Sequence, residues 1–201
     1  MINRLRYLLV VLAVAMPGLG MSAPAGAQAS DPAGFVSTLA QRAIPVLTRP
    51  ELPERQREQE FRNLLHEGFD MTQLSRLVLG RYWNQASPAE QAEFVKLLER
   101  YLIQLYAARF ADFQNVRLQV DGTRSEQGQA LVRSTLVRPN GPPVGLDWRV
   151  ENAGGRFTIT DIVVEGVSMV ITQRSEFASV IRQQGGQVAG LLQVLRQKTG
   201  S

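Results

Sequence analysis

The stretch Val164–Phe177, VEGVSMVITQRSEF, marks the point where the chain changes from strands to helices. It ends an apolar strand, turns at Gly166, carries one serine and then runs apolar again to Arg174 and Phe177. A serine on a tight turn is one arrangement of a nucleophile, whereas apolar residues beside a turn are also typical of a pocket wall. The segments on either side of this junction are needed to choose between the two.

Four segments before the junction alternate apolar and polar residues, which is the pattern of β-strands. They are VRLQV, QALVRSTLVR, PVGLDWRV and RFTITDIVV, and the turn-rich stretches DGTRSEQG, RPNGPP and ENAGG join them. Short joins of this composition favour antiparallel neighbours. We therefore predict an antiparallel meander of four or more strands over residues 115–165.

The chain before this meander has the apolar period of helices. Asp31 followed by Pro32 predicts the start of a first helix, which we expect Pro45 to end or kink. Asp70 is placed to cap a later helix that stops at Gly80. The first part of the molecule is therefore expected to be helical.

The longest predicted helix begins at the capping box of Ser87 and Glu90 and runs to about Phe110. After the junction, residues 166–201 read as two helices separated by Gly185–Gly186. Helices, then an antiparallel sheet, then helices again indicate an α+β fold. We expect a curled sheet packed against a helical subdomain, with the long helix lying across the sheet and either core or a pocket between them.

The first residues have the features of an export signal. A basic start and the apolar run Leu8–Met16 precede an A-x-A cleavage site at Ala25–Ala27. Because the run is shorter than the 20 or so residues of a membrane span, we expect a cleaved signal peptide over residues 1–27, an uncleaved anchor being the alternative. A single soluble periplasmic domain of three parts follows, which are residues 28–114, 115–165 and 166–201.

Charge and cysteine content exclude several function classes. Of 22 Lys and Arg residues, two lie in the predicted signal peptide, which leaves 20 against 18 acidic residues, a formal charge of +2. The arginines are scattered rather than clustered in sequence, so we predict no nucleic-acid binding. The absence of cysteine excludes a disulfide, a zinc–thiolate site and a cysteine nucleophile.

The sequence contains no recognisable catalytic or metal-binding motif. Ser168 lacks the second glycine of a G-x-S-x-G elbow, and His66, the only histidine, lies in a charged stretch typical of an exposed helix end. One histidine and no cysteine leave only carboxylates as metal ligands, and no calcium loop is present. We predict no catalytic and no metal-binding residues, although two carboxylates could still meet as the acid pair of a hydrolase.

Three blocks of this sequence together form a recognisable pattern, and the block at the strand-to-helix junction is the most specific. Their residues are Phe69, Asp70, Leu79, Gly80 and Trp83; Glu93, Phe94 and Tyr101; and Asp161, Glu165, Gly166, Val167, Ser168, Arg174 and Phe177. With these residues the chain resembles the MlaC family, also called the toluene-tolerance family, and the likeness covers almost all of the chain after the signal peptide. The chain departs from the family pattern at Phe157, where tryptophan is frequent, and at Thr172–Gln173, where the family often has Asn-Tyr.

The resemblance implies a fold of the NTF2-like or cystatin-like kind and a monomeric carrier without enzymatic activity. Members of this family hold phospholipid acyl chains, so the lipid is cargo and no cofactor is implied. They pass lipid between an outer-membrane lipoprotein and porin complex and an inner-membrane ABC transporter complex with an MCE-domain subunit, which maintains outer-membrane lipid asymmetry. A hopanoid-associated branch, HpnM, has similar motifs, so a hopanoid is the alternative cargo.

The predicted lipid pocket consists of apolar residues that face one way, although each of them could equally be plain core. They come from the strands, the long helix and the junction, and are Leu118, Val132, Leu136, Leu146, Trp148 and Ile159; Leu98, Tyr101, Leu102, Leu105 and Tyr106; and Val167, Met169 and Val170. We expect Ser168 to cap or bond backbone and Arg174 to pair with a carboxylate or a lipid phosphate. A ligand-free exported adaptor and a hydrolase remain alternatives to the carrier.

Overall fold

The structure is a computed structural model that describes residues 31–49, 51–107, 115–139 and 141–200. The expected signal peptide and Phe110, the expected end of the long helix, lie outside the described residues. None of the described helices combines the length and the apolar character needed to cross a membrane.

The described residues form six α-helices, one short 3-10 helix and one sheet, which confirms the predicted α+β fold. In chain order, the elements are α1 (Pro32–Thr48), α2 (Glu54–Gly68), α3 (Met71–Leu79), the 3-10 helix (Gly80–Gln85), α4 (Pro88–Ala107), β1 (Arg117–Glu126), β2 (Gln129–Val137), β3 (Val144–Ala153), β4 (Arg156–Val164), β5 (Val167–Ser168), α5 (Met169–Gln183) and α6 (Val188–Thr199).

The sheet is the predicted antiparallel meander, with strand order β1-β2-β3-β4-β5. Register shifts between Val120 and Gly122 and between Arg149 and Val150 interrupt the pairing. Bulges of this kind bend a strand and increase its local twist, so they fit the curl of the open sheet. The fifth strand is only two residues long and lies within the junction.

Side-chain caps fix the helix starts that the sequence predicts. The Asp31 carboxylate accepts from the Gly34 amide at 2.7 Å, and the Ser87 amide donates to the Glu90 carboxylate at 2.8 Å. Each cap satisfies an amide that the first helical turn leaves without a partner. Pro45 does not end α1, which continues to Thr48, and its carbonyl accepts from the amide of Arg49, the first residue after the helix. The alternative expectation of a kink at Pro45 stays a prediction.

Two large apolar clusters organise the interior. The helical core contains buried residues of α3, the 3-10 helix, α4, α5 and α6, such as Phe94, Leu98 and Leu191. The sheet core contains Val36 of α1 and Leu64 of α2, packed against one face of the strands. The helices in the sheet core are therefore α1 and α2, whereas the long helix α4 lies in the helical core, contrary to the sequence expectation.

Candidate functional site

One face of the sheet is apolar across β1 to β4. Directly paired residues of neighbouring strands point to the same side of a sheet, so the strand register identifies this face. Its rows are Leu118, Leu136 and Val144; Val120, Ser134, Leu146 and Val164; Val132, Trp148 and Ile162; and Ala130, Val150 and Ile159. The opposite face carries charged residues such as the exposed Arg133 and its partner Asp147, and Leu131 and Asp161 on that face are buried.

The sheet core covers one end of this apolar face. Val132, Val150 and Ile159 are buried there against the residues of α1 and α2. The Phe35 ring of α1 lies 5.8 Å from the Phe157 ring of β4, measured between centroids. This end of the face is therefore plain hydrophobic core.

The other end of the face is less covered. Leu136, Val144, Leu146 and Val164 are half-buried, and none of them belongs to the core clusters formed by the described residues. Leu136 pairs with Val144 and Leu146 pairs with Val164, so the four side chains form one continuous apolar surface. We call these four residues the open end of the sheet face, and they are the candidate site for an apolar ligand.

The buried hydroxyl of Ser134 forms hydrogen bonds with the polar atoms next to the open end of the sheet face. Ser134 is fully buried, and its Oγ accepts from the Trp148 indole Nε1 at 2.8 Å. The same hydroxyl lies 3.3 Å from the Leu146 carbonyl oxygen, to which it donates. These bonds satisfy the polar atoms and fix the Trp148 ring. Sequence reasoning did not single out Ser134. The signal that could have identified it is the presence of a serine on the apolar side of an alternating strand.

The structure divides the predicted pocket residues between different regions. Those of the strands lie on the apolar face: Leu118, Val132, Trp148 and Ile159 in the sheet core, and Leu136 and Leu146 at the open end. Those of α4 do not join them: Leu98, Tyr101 and Leu102 belong to the helical core, and Leu105 and Tyr106 are half-buried outside the clusters. The assignment of these residues to a lipid pocket stays a prediction, and the strand residues are the ones that share a surface.

The three predicted residues of the junction also separate. Val170 is buried in the helical core, Met169 is half-buried, and the Val167 side chain is 54% exposed. Because Val167 pairs with Val164, it extends the apolar face to the short edge strand. The junction therefore connects the open end of the sheet face to the helical core.

Ser168 caps a helix and does not have the surroundings of a nucleophile. Its Oγ accepts from the Ile171 amide at 3.0 Å and donates to the Asp161 carboxylate at 2.6 Å. His66 lies on α2, where its Nε2 is 3.1 Å from the Glu99 carboxylate. The expected capping role of Ser168 and the exposed, helix-terminal position of His66 are both confirmed.

Within the described residues, no carboxylate lies within 4 Å of Arg174, so the expected carboxylate partner is wrong, and the lipid phosphate stays a prediction. Its Nε donates to the Leu77 carbonyl oxygen at 2.7 Å, near the C-terminus of α3. Its side chain passes over Gly80, which has a φ of +54°. The last carbonyls of a helix lack intrahelical partners, which explains the preference for a backbone acceptor.

The described carboxylates do not gather into a metal site. Asp161 is the one buried acidic residue among those that the structure describes, and its oxygens accept from Ser168 and from the Val170 amide at 3.1 Å. Within the described ranges, no three His, Asp or Glu side chains gather as metal ligands would. The residues of the open end can therefore bind apolar groups.

A separate shallow cleft lies between α4, α5 and α6. It is lined by Tyr101, Glu176, Phe177, Val180, Leu191, Val194, Leu195 and Lys198. Only Tyr101 of the predicted pocket residues lines it, and the Lys198 ammonium lies 6.0 Å from the centre of the Tyr101 ring. The cleft belongs to the helical core and is distinct from the open end of the sheet face.

Comparison with known proteins relates this fold to lipid-binding proteins. Residues 37–197 match the family model described as MlaC protein. The structure superposes on a phospholipid-binding protein from Ralstonia solanacearum, solved in complex with a phospholipid, with a TM-score of 0.73 and 28% sequence identity. The match covers 85% of this chain and 98% of that one.

Two curated relatives match over shorter stretches. The toluene tolerance protein ttg2D of Pseudomonas putida is 24% identical over 106 residues, which are 52% of this chain and 49% of that protein. The intermembrane phospholipid transport system binding protein MlaC of Haemophilus influenzae is 26% identical over 113 residues, which are 54% and 53%. The matched stretches thus span about half the length of each relative. Because the family model matches most of the chain, this protein belongs to the MlaC family.

Proposed function

We propose that this protein is a periplasmic lipid carrier that sequesters phospholipid acyl chains at the open end of its sheet face. The observation that carries the proposal is the match to almost the full length of a structure that holds a phospholipid. The half-buried residues Leu136, Val144, Leu146 and Val164 supply an apolar surface of the kind that such a ligand needs.

The physical reason for a carrier is the cost of exposing lipid tails to water. Each CH2 group removed from water contributes about 0.8 kcal/mol, so two acyl chains create a large barrier to crossing an aqueous space. A protein surface of leucine and valine lowers that barrier without strong recognition of the head group. Few polar side chains are then needed inside, which fits the apolar composition of the open end.

The transport route belongs to the same proposal. Lipid passes between an outer-membrane lipoprotein and porin complex and an inner-membrane ABC transporter complex with an MCE-domain subunit, and this traffic maintains outer-membrane lipid asymmetry. Membership of the MlaC family supports this route, as does the signal-peptide pattern of residues 1–27. The carrier works as a monomer, since a single chain supplies the whole open end of the sheet face.

The protein acts by binding rather than by catalysis and requires no cofactor besides its cargo. Ser168, the residue most like a nucleophile in the sequence, is engaged as a helix cap by the Ile171 amide and Asp161. The buried carboxylate of Asp161 holds the same junction together. These groups stabilise the fold that presents the apolar surface.

The proposal is tested by native mass spectrometry of the protein purified without detergent, with organic extraction of the material released. We expect a bound mass that matches a diacyl phospholipid. A hopanoid mass would instead assign the protein to the hopanoid-associated branch.

An apo mass that stays unchanged after incubation with phospholipid vesicles would refute the carrier and favour a ligand-free adaptor. The control is the same incubation after acid unfolding, which removes the curled sheet and must abolish specific loading.

A further inference from the structure

Three arginine side chains lie near Tyr82 and Trp83, two aromatic residues that follow one another in the 3-10 helix. The Arg76 guanidinium lies 5.5 Å from the centre of the Trp83 ring, and that of Arg81 lies 5.0 Å from the centre of the Tyr82 ring. Arg182 of α5 is the third arginine, because its charge contributes to the lowered pKa of Tyr82. All three arginines are exposed, and we call them the arginine patch.

The aromatic rings hold two of these charges in place. Tyr82 and Trp83 are buried in the helical core, so each presents a fixed face on which a guanidinium lies. The Arg81 Nη2 also donates to the Tyr82 hydroxyl at 3.1 Å. The hydrogen bond from Arg81 lowers the pKa of Tyr82, and the charge of Arg182 acts in the same direction. Burial of Tyr82 acts in the opposite direction with a smaller effect. A side chain that is already ordered loses less entropy when it binds a partner.

The positive charge of the patch is not neutralised within the described parts of the chain. No carboxylate there lies within 4 Å of Arg76, Arg81 or Arg182. Three positive charges therefore face solvent on a chain whose formal charge is only +4 in total.

We propose that the arginine patch is a docking surface for a carboxylate-rich surface of a protein partner. Guanidinium groups bind carboxylates through two parallel hydrogen bonds, and arginine beside aromatic residues is enriched at the centres of protein interfaces. The patch contains no lysine, so each of its charges has this directional geometry. Charge complementarity and the ordered side chains identify an acidic protein surface as the occupant.

A membrane surface fits the patch less well. The exposed large hydrophobic residues of the described chain are Val167 and Ile171, at the start of α5, whereas Arg182 lies near its end. Arg182 is eleven positions after Ile171, a rise of about 16 Å along the helix axis. Arg182 therefore lies away from the apolar side chains that would insert beside lipid head groups.

Docking at this surface would leave the candidate lipid site accessible. Tyr82 and Trp83 belong to the helical core, whereas Leu146 and its neighbours lie on the apolar sheet face. The proposed surface does not depend on which lipid the protein carries, or on whether it carries one.

The test measures binding of a fluorescent peptide of alternating Glu and Gly residues by anisotropy at low salt. The test variant is Arg81→Glu with Arg182→Glu, and the matched control is Arg55→Glu with Lys96→Glu, which makes the same charge change at two exposed positions elsewhere. We expect the affinity to fall about tenfold or more in the test variant and to stay within about twofold in the control. Arg76→Gln with Arg182→Gln, which spares the Arg81 hydrogen bond to Tyr82, should weaken binding as well.

Equal weakening by the test variant and the control would overturn the proposal, since the binding would then follow net charge alone. Vesicles of phosphatidylcholine with about 30 mol% phosphatidylglycerol are the second probe. If the test variant lost vesicle binding but kept its peptide binding, the patch would be assigned to membranes. That result would also overturn the proposal. Phospholipid content, measured by extraction, should be equal in all variants, so a failure of the proposed carrier function would be seen separately.

Discussion

The Ser168 hydroxyl donates to the Asp161 carboxylate at 2.6 Å and so joins the junction to the last long strand of the sheet. The same carboxylate accepts from the Val170 amide, and Ser168 accepts from the Ile171 amide. Glu165 and Gly166, both with positive φ, form the turn that brings the two partners together. The E-G-V-S motif, Glu165–Ser168, therefore attaches α5 to the sheet.

Replacing Ser168 with alanine should lower the free energy of unfolding by about 1 kcal/mol, because the Ile171 amide loses its cap. Urea unfolding measures this change. The control is Ser175→Ala, on the exposed side of α5, where the hydroxyl only donates to a carbonyl within the helix, and we expect a change within about 0.5 kcal/mol. Lost phospholipid with unchanged stability in Ser168→Ala would show that the serine serves the ligand instead.

Gly80→Ala should destabilise the protein by about 1 to 3 kcal/mol. The residue has a φ of +54°, and a Cβ there would lie 3.1 Å from Cδ of Arg174. Gly122→Ala is the matched control, since a Cβ at that position has no heavy atom within 4 Å. If urea unfolding gave the same loss for both substitutions, contact with Arg174 and strain at Gly80 could not be the cause.

The ion pair of Glu93 and Arg196, which links α4 to α6, should make stability depend on pH. The hydrogen bond from Arg196, at 2.6 Å, lowers the pKa of Glu93 below its ordinary value of 4.5. A carboxyl group with a lower pKa in the folded state contributes stability above its unfolded pKa, and that contribution is lost as the pH falls through the folded value. Wild type should therefore be more stable than Arg196→Met at pH 7, by a small amount because both side chains are partly exposed.

The measurement for this pair is urea unfolding of both proteins across the acidic range. The stability difference should shrink as the pH falls below the ordinary glutamate value and should vanish once Glu93 is protonated in the folded protein. A difference that stayed constant with pH would mean that Arg196 acts through packing of its side chain rather than through its charge.

Leu146→Trp should block phospholipid binding while the fold persists, because the indole would fill the open end of the sheet face. The control is Arg133→Trp, which adds the same ring at an exposed position on the opposite face of the neighbouring strand β2. Phospholipid per protein after extraction is the readout, and we expect a loss of about tenfold in Leu146→Trp and little change in the control. Equal lipid in both variants would exclude Leu146 from the site.

Local signals in the sequence predicted local structure well. The Asp31 cap, the Ser87–Glu90 capping box and the strand alternation each depend on residues a few positions apart, and the structure contains all of them. The alternation of apolar and polar residues also predicted that Leu136 and Leu146 point to the same face of the sheet, and the strand register agrees. These features follow from backbone hydrogen bonding and side-chain periodicity alone.

Long-range packing was not predictable in the same way. The sequence expectation placed α4 across the sheet, whereas the sheet core contains residues of α1 and α2, whose apolar stripes look no different in sequence. Arg174 likewise binds a carbonyl of α3, 97 residues away in sequence, rather than a carboxylate. Such partners depend on how elements meet in space, which periodicity does not specify.

The most direct test is photo-crosslinking with a phosphatidylcholine that carries a diazirine near the end of one acyl chain, followed by peptide mapping. We expect labelled residues on β2, β3 and β4 at and beside Leu136, Leu146 and Val164, and we expect unlabelled phospholipid to compete for the label. Labels confined to the cleft of the helical core around Phe177 and Leu191 would contradict the proposed site, as would labelling that unlabelled lipid does not reduce.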